Sequence, residues 1–311
     1  HPMQPQRKYS LPPSNKVYQI DGAIYGVDDR LVEALQASIN RRLESKTLEV
    51  PRLPQVAGRI LELSNNPDSS LEDVVRAIKT DPVLATRVLT IANSALYAGG
   101  DRVEELNSAM MRLGTKVVSD TVFAETIRMK VFSARSYRGI LEQSWKLSLG
   151  TALACDALSK LTGIERGHAF LMGLVHDTGI PVLVNAVAEH EKQNRGQSLG
   201  TEVVEILITS LHEAVGAHVL QEWGLSEAIV AAARDHHHYR GAERSSPASS
   251  LLYAGNLVCR HLGIGLEQNP VAFNLERVFT DLKVGDAERI GPVLEAVERD
   301  FQGMMAGMKA A

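Results

Sequence analysis

Apolar residues recur at intervals of three and four along most of this 311-residue chain, and alternation of period two is almost absent. For example, Leu71, Val74 and Ile78 stand at positions i, i+3 and i+7, which places them on one face of an α-helix. Similar spacing in the other segments predicts an all-α protein. The length and a hydrophobic content of 44 % suffice for one large domain or two smaller ones with a substantial core.

Prolines and a change of periodicity divide this pattern into segments. Residues 4–27 lack sustained periodicity and predict an extended arm on the surface, whereas 27–46 carries a one-sided apolar stripe that predicts a helix. Pro51 and Pro54 interrupt the pattern and mark a boundary. Residues 145–161 are apolar on most sides, which predicts a central helix.

Charge and composition argue against several classes of partner. With a net charge of −4, a pI near 6.2 and no run of Lys and Arg, nucleic acid is not an expected partner. The longest apolar runs, such as 171–175, fall far short of the ~20 residues that span a bilayer. No signal-peptide pattern opens the sequence either, so we expect no membrane partner.

The two cysteines bear on the compartment. Cys155 and Cys259 stand in apolar helical patterns, which predicts buried free thiols. Free thiols are typical of proteins in a reducing compartment. We therefore expect a cytoplasmic location.

An adjacent His-Asp pair is the most informative local feature. An apolar helical run ends in His176 and Asp177, and Gly179 and Pro181 follow as predicted helix-stopping residues. Imidazole and carboxylate both bind zinc, iron or manganese. Gly173, one turn earlier, would let another helix approach closely. Alternatively, the pair merely forms hydrogen bonds at a helix end.

Further histidines follow at helix ends or on apolar helices. His212 lies next to the core face of a predicted helix, and His236 and His237 follow another. A His-Asp pair, then one His, then two adjacent His residues predict a metal centre, either working or dismantled. His238 extends the pair and is expected to face solvent. The candidate metal ligands are His176, Asp177, His212, His236 and His237.

A series of short motifs stands in order between about Pro51 and about Gly263. They are Leu53-Pro54, Asp81-Pro82, residues 92–95 (Ala-Asn-Ser-Ala), Leu113-Gly114, residues 173–179 (Gly-Leu-Val-His-Asp-Thr-Gly), residues 212–217 (His-Glu-Ala-Val-Gly-Ala), Trp223 and His236-His237. This series resembles the HDOD domain, the HD-related output domain of bacterial signalling proteins. The number of ordered motifs makes the resemblance specific.

The resemblance implies an all-α fold in two lobes and a division of the chain. Within an HDOD domain over 51–265, it implies a helical bundle over 51–135 and a degenerate lobe, similar to HD-type phosphohydrolases, over 138–265. Residues 1–50 are then an arm with a flanking helix, and 266–311 are a C-terminal helical extension.

Three positions depart from the pattern that the resemblance implies for working HD hydrolases. Those enzymes hold metal with a His on an early helix, the His-Asp pair and a late Asp, with further His ligands in the two-metal cyclic-dinucleotide branch. Leu147 stands where the first His is expected, and Asn256 stands where the last Asp is expected. Ile180 replaces a Lys of the two-metal branch. The site therefore lacks one ligand, one charge and one phosphate-binding cation.

These departures favour a non-catalytic signalling or regulatory module that acts through contacts with other signalling proteins. No cofactor is expected beyond a weakly held divalent metal, Fe, Mn or Zn. The alternative is a metal-dependent phosphohydrolase that acts on nucleotides or cyclic dinucleotides through an unusual His/Asp ligand set. A third hypothesis places an uncleaved nucleotide in the interlobe cleft, although the sequence has no glycine-rich phosphate cradle to support it.

Overall fold

The computed structural model describes residues 18–20, 23–25, 29–66, 68–94, 97, 101–134, 136–164, 167–194, 198–241, 243–265 and 271–309. These residues form fourteen α-helices and one antiparallel hairpin of two three-residue strands. The all-α prediction is therefore confirmed. The hairpin, β1 (Tyr18–Ile20) with β2 (Ala23–Tyr25), is the described part of the segment predicted as an extended arm.

The helices include the segments predicted near 27–46, 71–78 and 145–161, as well as others. They are α1 (Asp29–Glu44), α2 (Gln55–Asn65), α3 (Leu71–Lys79), α4 (Pro82–Ala92), α5 (Leu106–Leu113), α6 (Thr115–Lys130), α7 (Arg138–Thr162), α8 (Ala169–Val175), α9 (Gly179–Gln193), α10 (Thr201–Glu222), α11 (Glu227–Asp235), α12 (Pro247–Leu262), α13 (Arg277–Asp281) and α14 (Ala287–Lys309).

Helices α2 to α6 bury one hydrophobic cluster. Ser70 and Asp73 form a complete capping box at the start of α3, and Asp81 caps α4, which begins with Pro82. The cluster is formed by apolar residues of these helices, including Val74 and Ile78 of α3. This cluster is the core of the first lobe.

Helices α7 to α12 bury a second, larger cluster. Helices α7 and α8 pack in close contact because Gly173 of α8 has no side chain. A Cβ built there would lie 2.6 Å from the Cα of Ala152 and 2.6 Å from the carbonyl oxygen of Thr151. The close approach predicted for Gly173 is therefore confirmed, and it holds α8 and the His-Asp pair against the core of this lobe.

Helix α6 joins the two clusters. Val118 and Val122 lie in the first cluster, whereas Phe123, Ala124 and Ile127 lie in the second. All residues from 121 to 127 are buried. A helix that is buried all round is typical of the centre of a large fold.

The terminal helices pack on the lobes. Helix α1 lies on α10, where Gln36 donates a hydrogen bond to Ser210 at 2.8 Å. Helix α14 contacts α7 of the second lobe and α4 of the first. Gly307 of α14 lies directly against Ile91, and Arg87 of α4 donates a hydrogen bond to the carbonyl of Met308. The predicted boundaries at 50 and 265 stay predictions, but α14 bridges both lobes.

In the part of the chain that the structure describes, two helical stretches are long and apolar enough to cross a membrane by length and composition alone. They are residues 169–193 and α10, with mean hydropathy of 1.4 in each. However, 83 % and 61 % of their apolar windows are buried inside the protein. Such burial is typical of core helices in a globular fold. Cys155 and Cys259 are also buried and free, as predicted.

Candidate metal centre

The structure brings all five predicted ligands together. His176 and Asp177 lie in the short turn between α8 and α9, and His212 lies in the middle of α10. His236 and His237 follow the last residue of α11. Four of the five are buried, while His237 is exposed at the surface and turns its Nε2 inward. His238 is exposed, as expected.

The local prediction about Gly179 and Pro181 was wrong in one respect. These residues do not end helical structure after the His-Asp pair, because α9 begins at Gly179. Proline fits the first turn of a helix, where the missing N–H would have no intrahelical partner. Gly179 also lies directly against the carbonyl oxygen of His212. The absence of a side chain at Gly179 therefore lets the turn meet α10 where His212 is placed.

Asp177 lies at the centre of the cluster. Its Oδ2 is 3.2 Å from Nε2 of His176. Its Oδ1 is 3.4 Å from Nε2 of His236 and 3.7 Å from Nε2 of His212. One carboxylate therefore faces three imidazole nitrogens that come from three different segments.

The imidazole nitrogens also face each other. Nε2 of His212 lies 3.3 Å from Nε2 of His236 and 3.1 Å from Nε2 of His237. Two nitrogens bound to one zinc ion at about 2.0–2.1 Å and a tetrahedral angle would be about 3.3 Å apart. The cluster contains two overlapping triads that could hold a metal ion, His176-Asp177-His236 and His212-His236-His237. Within each triad, the ligand atoms lie within 4.8 Å of one another.

Backbone carbonyls fix the orientation of three of the rings. Nδ1 lies 2.7 Å from the Gly173 carbonyl for His176, 2.7 Å from the Ile208 carbonyl for His212, and 2.6 Å from the Ala233 carbonyl for His236. A carbonyl oxygen only accepts, so each Nδ1 carries the hydrogen. In the neutral ring, Nε2 then keeps its lone pair for a metal, as in metal sites with an ordered outer shell.

Two buried atoms at the centre lack hydrogen-bond partners. They are Nε2 of His176 and Oδ1 of Asp177. Both are acceptors in the protonation state argued above, and a buried acceptor without a partner is costly. A cation between them would satisfy both atoms. The donor set and its geometry therefore fit a divalent metal ion.

The charges at the centre support this conclusion. Burial would raise the pKa of Asp177, but the neighbouring imidazoles of His176 and His236 outweigh burial and hold that pKa well below its usual value. Burial lowers the pKa of His212 to about 4, and desolvation of the inward-facing Nε2 of His237, together with the charge of His236, lowers the pKa of His237 to about 2. Burial opposes protonation of His236 too, but Asp177 raises its pKa overall. Of the rings that face the anionic carboxylate of Asp177, that of His212 is therefore neutral near pH 7.

The helices that should complete an HD centre contribute no ligand. Asn256 of α12 accepts a hydrogen bond from Thr151 of α7 at 2.8 Å. Leu147 of α7 packs near Gly265, where a built Cβ would lie 3.3 Å from the Cβ of Leu147. Ile180 is buried in the hydrophobic core. Within the described ranges, neither metal-capable triad includes a residue of α7 or α12.

A small cavity lies between the lobes. Its lining includes Lys116 and Asp120 of α6, Asp156 of α7 and Phe170 of α8, and its volume is about 60 Å³. Lys116 forms ion pairs with both carboxylates, because its Nζ lies 2.6 Å from Asp120 and 3.0 Å from Asp156. Ligand pockets usually have about 300–1,000 Å³. This cavity does not favour the hypothesis of an interlobe nucleotide.

Glu213 is a residue near the centre that sequence reasoning missed. It follows His212 on α10, and its carboxylate accepts a hydrogen bond from the backbone N–H of His237 at 3.3 Å. In the sequence it stood inside the 212–217 motif, next to a candidate ligand, but nothing there indicated a role. An acidic residue on a helix ordinarily faces solvent, so adjacency did not reveal this contact.

Comparison with known proteins defines the family. The profile of the HDOD domain matches residues 50–239, which is more than half of the chain. The chain therefore belongs to the HDOD family. A curated relative, an uncharacterized protein of Treponema pallidum (strain Nichols), is 26 % identical over 236 residues. The match covers 73 % of this chain and 45 % of the relative, so the chain spans less than half of that relative's length.

Solved structures share the fold. A protein from Shewanella amazonensis SB2B, named as a candidate metal-dependent phosphohydrolase, superposes with a TM-score of 0.66 at 22 % identity and covers 89 % of this chain and 98 % of its own. A candidate signal transduction protein from Marinobacter aquaeolei VT8 gives 0.64 at 23 % identity, with coverage of 90 % and 66 %. An HDOD protein of unknown function from Geobacter sulfurreducens gives 0.61 at 22 % identity, with coverage of 87 % and 98 %. At these identities, the likeness shows the fold alone.

Proposed function

We propose that this HDOD protein is a non-catalytic signalling module that acts through contacts with other signalling proteins in the cytoplasm. One observation carries the proposal: the ligand atoms come from the α8–α9 turn, α10 and the end of α11, while α7 and α12 add none. Hydrolysis of a phosphate ester requires a metal with fixed coordination, an open position for an oriented water and a group that binds the phosphoryl oxygen. With Leu147, Asn256 and Ile180 in place of one ligand, one charge and one phosphate-binding cation that the family resemblance implies, the centre supports binding of an ion better than catalysis.

The centre in this proposal holds one divalent ion as a structural element. His176, Asp177, His212, His236 and His237 are the residues that would hold it. A divalent ion in such a site can polarise bound water and phosphoryl oxygen. In this chain, the carboxylate of Asp177 neutralises part of the cation's charge, and the carbonyl of Gly173 keeps the His176 ring aimed at the centre.

Hydrolytic activity provides the direct test of this proposal. Protein loaded with Mn²⁺ or Fe²⁺ should hydrolyse cyclic dinucleotides and nucleoside phosphates no faster than the His176→Ala variant treated in the same way. Turnover that requires the added metal and is lost in His176→Ala would contradict the proposal. A variant at an exposed position far from the centre, Glu72→Ala at the start of α3, serves as the control for purification background.

The second candidate function is a metal-dependent phosphohydrolase with the same five residues as ligands. It is favoured by the exposure of His237, which leaves one side of the cluster near the surface and open to a substrate. In that case Asp177 would also orient the attacking water. The same hydrolysis assay distinguishes the two functions, because only a phosphohydrolase would show turnover that is lost in the His176→Ala variant.

A further inference from the structure

The four histidines of the centre are not held in the same way. Nδ1 of His176, His212 and His236 each contacts a backbone carbonyl at 2.6–2.7 Å. Among the described residues, no such carbonyl holds Nδ1 of His237. His237 also lies beyond the end of α11 and is exposed. Another contact must therefore keep its Nε2 at 3.1 Å from that of His212.

Glu213 contacts the main chain of His237. Its Oε1 accepts the backbone N–H of His237 at 3.3 Å and lies 3.7 Å from Nδ1 of His238. Only 15 % of the Glu213 side chain is exposed, whereas 45 % of the His238 side chain is exposed. The carboxylate is therefore enclosed between α10 and the turn that carries His237. Because Glu213 follows His212 directly, it ties the turn to the helix that supplies the neighbouring ligand.

We propose that Glu213 is a positioning residue that holds the turn 236–238 against α10, so that His237 completes the triad with His212 and His236. This inference rests on the proposed retention of a metal ion. The backbone carbonyls orient three rings directly, whereas Glu213 orients the fourth through its main chain. A carboxylate in this outer position commonly changes metal affinity about 10–100-fold when it is removed.

Titration with Co²⁺, followed by the visible absorption of the bound ion, tests the role in metal binding. Glu213→Ala should weaken Co²⁺ binding about 10–100-fold. Glu213→Gln keeps an oxygen that accepts the His237 N–H and should restore most of the affinity. Glu222→Ala, at an exposed position of the same helix, is the matched control and should bind as the wild type does.

A double-mutant cycle separates positioning from a general structural effect. If Glu213 acts through His237, Glu213→Ala should cause no further loss of affinity in a His237→Ala background. Equal Co²⁺ affinity in Glu213→Ala and the wild type would overturn the inference, and so would independent, additive losses. A wild type that binds no Co²⁺ would instead contradict the retained metal centre itself.

The metal-free protein gives a separate measurement of the contact. The His237 amide hydrogen should exchange with solvent faster in Glu213→Ala than in the wild type and in Glu222→Ala, because only the first variant loses the acceptor. Equal exchange in all three proteins would overturn the proposed contact whether or not Co²⁺ binds.

Discussion

Replacing Gly173 by alanine tests the close packing that supports the metal centre. The new Cβ would lie 2.6 Å from the Cα of Ala152, 2.6 Å from the Thr151 carbonyl oxygen and 2.7 Å from the Ala152 nitrogen. These are backbone atoms, so α7 and α8 must separate. Overpacking costs about 1–3 kcal/mol, and we expect the upper end here. The higher helix propensity of alanine offsets about 1 kcal/mol of this cost. The free energy of unfolding should therefore fall by about 2 kcal/mol.

Urea unfolding followed by far-ultraviolet circular dichroism measures this loss. Gly139→Ala is the matched control, because Gly139 lies in α7 and a Cβ built there meets no atom within 4 Å. The control should be unchanged or stabilised by up to about 1 kcal/mol. If Gly173→Ala were as stable as Gly139→Ala, the account of the α7–α8 contact would be refuted.

Two further predictions concern ionisable groups that are buried or partly buried. Burial raises the pKa of Asp120 from 3.8 to about 6, although Lys116 opposes it. The folded state thus binds this proton more tightly than the unfolded state. The free energy of unfolding of the wild type should therefore fall relative to that of Asp120→Asn as pH rises from about 4 to about 6, and then level off. A difference in urea midpoint between the two proteins that does not change with pH would contradict this prediction. Burial also raises the pKa of Cys259 to about 12, and Cys155 is equally enclosed. Both thiols should resist iodoacetamide until the protein is unfolded, and rapid alkylation of native protein would show that they are accessible.

The helical architecture could be predicted because helix formation leaves local signals. The apolar spacing of 71–78 and the Asp81-Pro82 step correspond to α3 and α4, whose caps are made by Ser70 and Asp81. Pro181 shows the limit of such signals. Proline is compatible both with the end of one helix and with the first turn of the next, so the sequence pattern alone does not distinguish them.

The candidate ligands could also be chosen from the sequence, but their geometry could not. Residue type and helix position marked His176 and His212, whereas the 3.7 Å distance from His212 to Asp177 depends on how α10 crosses the α8–α9 turn. The contact of Glu213 with the His237 N–H likewise joins residues 24 positions apart. Such contacts depend on tertiary packing, which local periodicity does not encode.

The packing of α14 illustrates the same limit on a larger scale. The sequence predicted a C-terminal helical extension over 266–311. It did not indicate that α14 contacts α7 and α4, or that Arg87 reaches the carbonyl of Met308, 221 residues away along the chain.

Metal content tests the central claim most directly, because the claim is that five donors from one side of the lobe form a site for a single ion. Protein purified without oxygen should contain about one Fe, Mn or Zn ion per chain by inductively coupled plasma mass spectrometry, and His212→Ala should lose most of it. Metal far below one ion per chain, with no change in either His176→Ala or His212→Ala, would contradict the account.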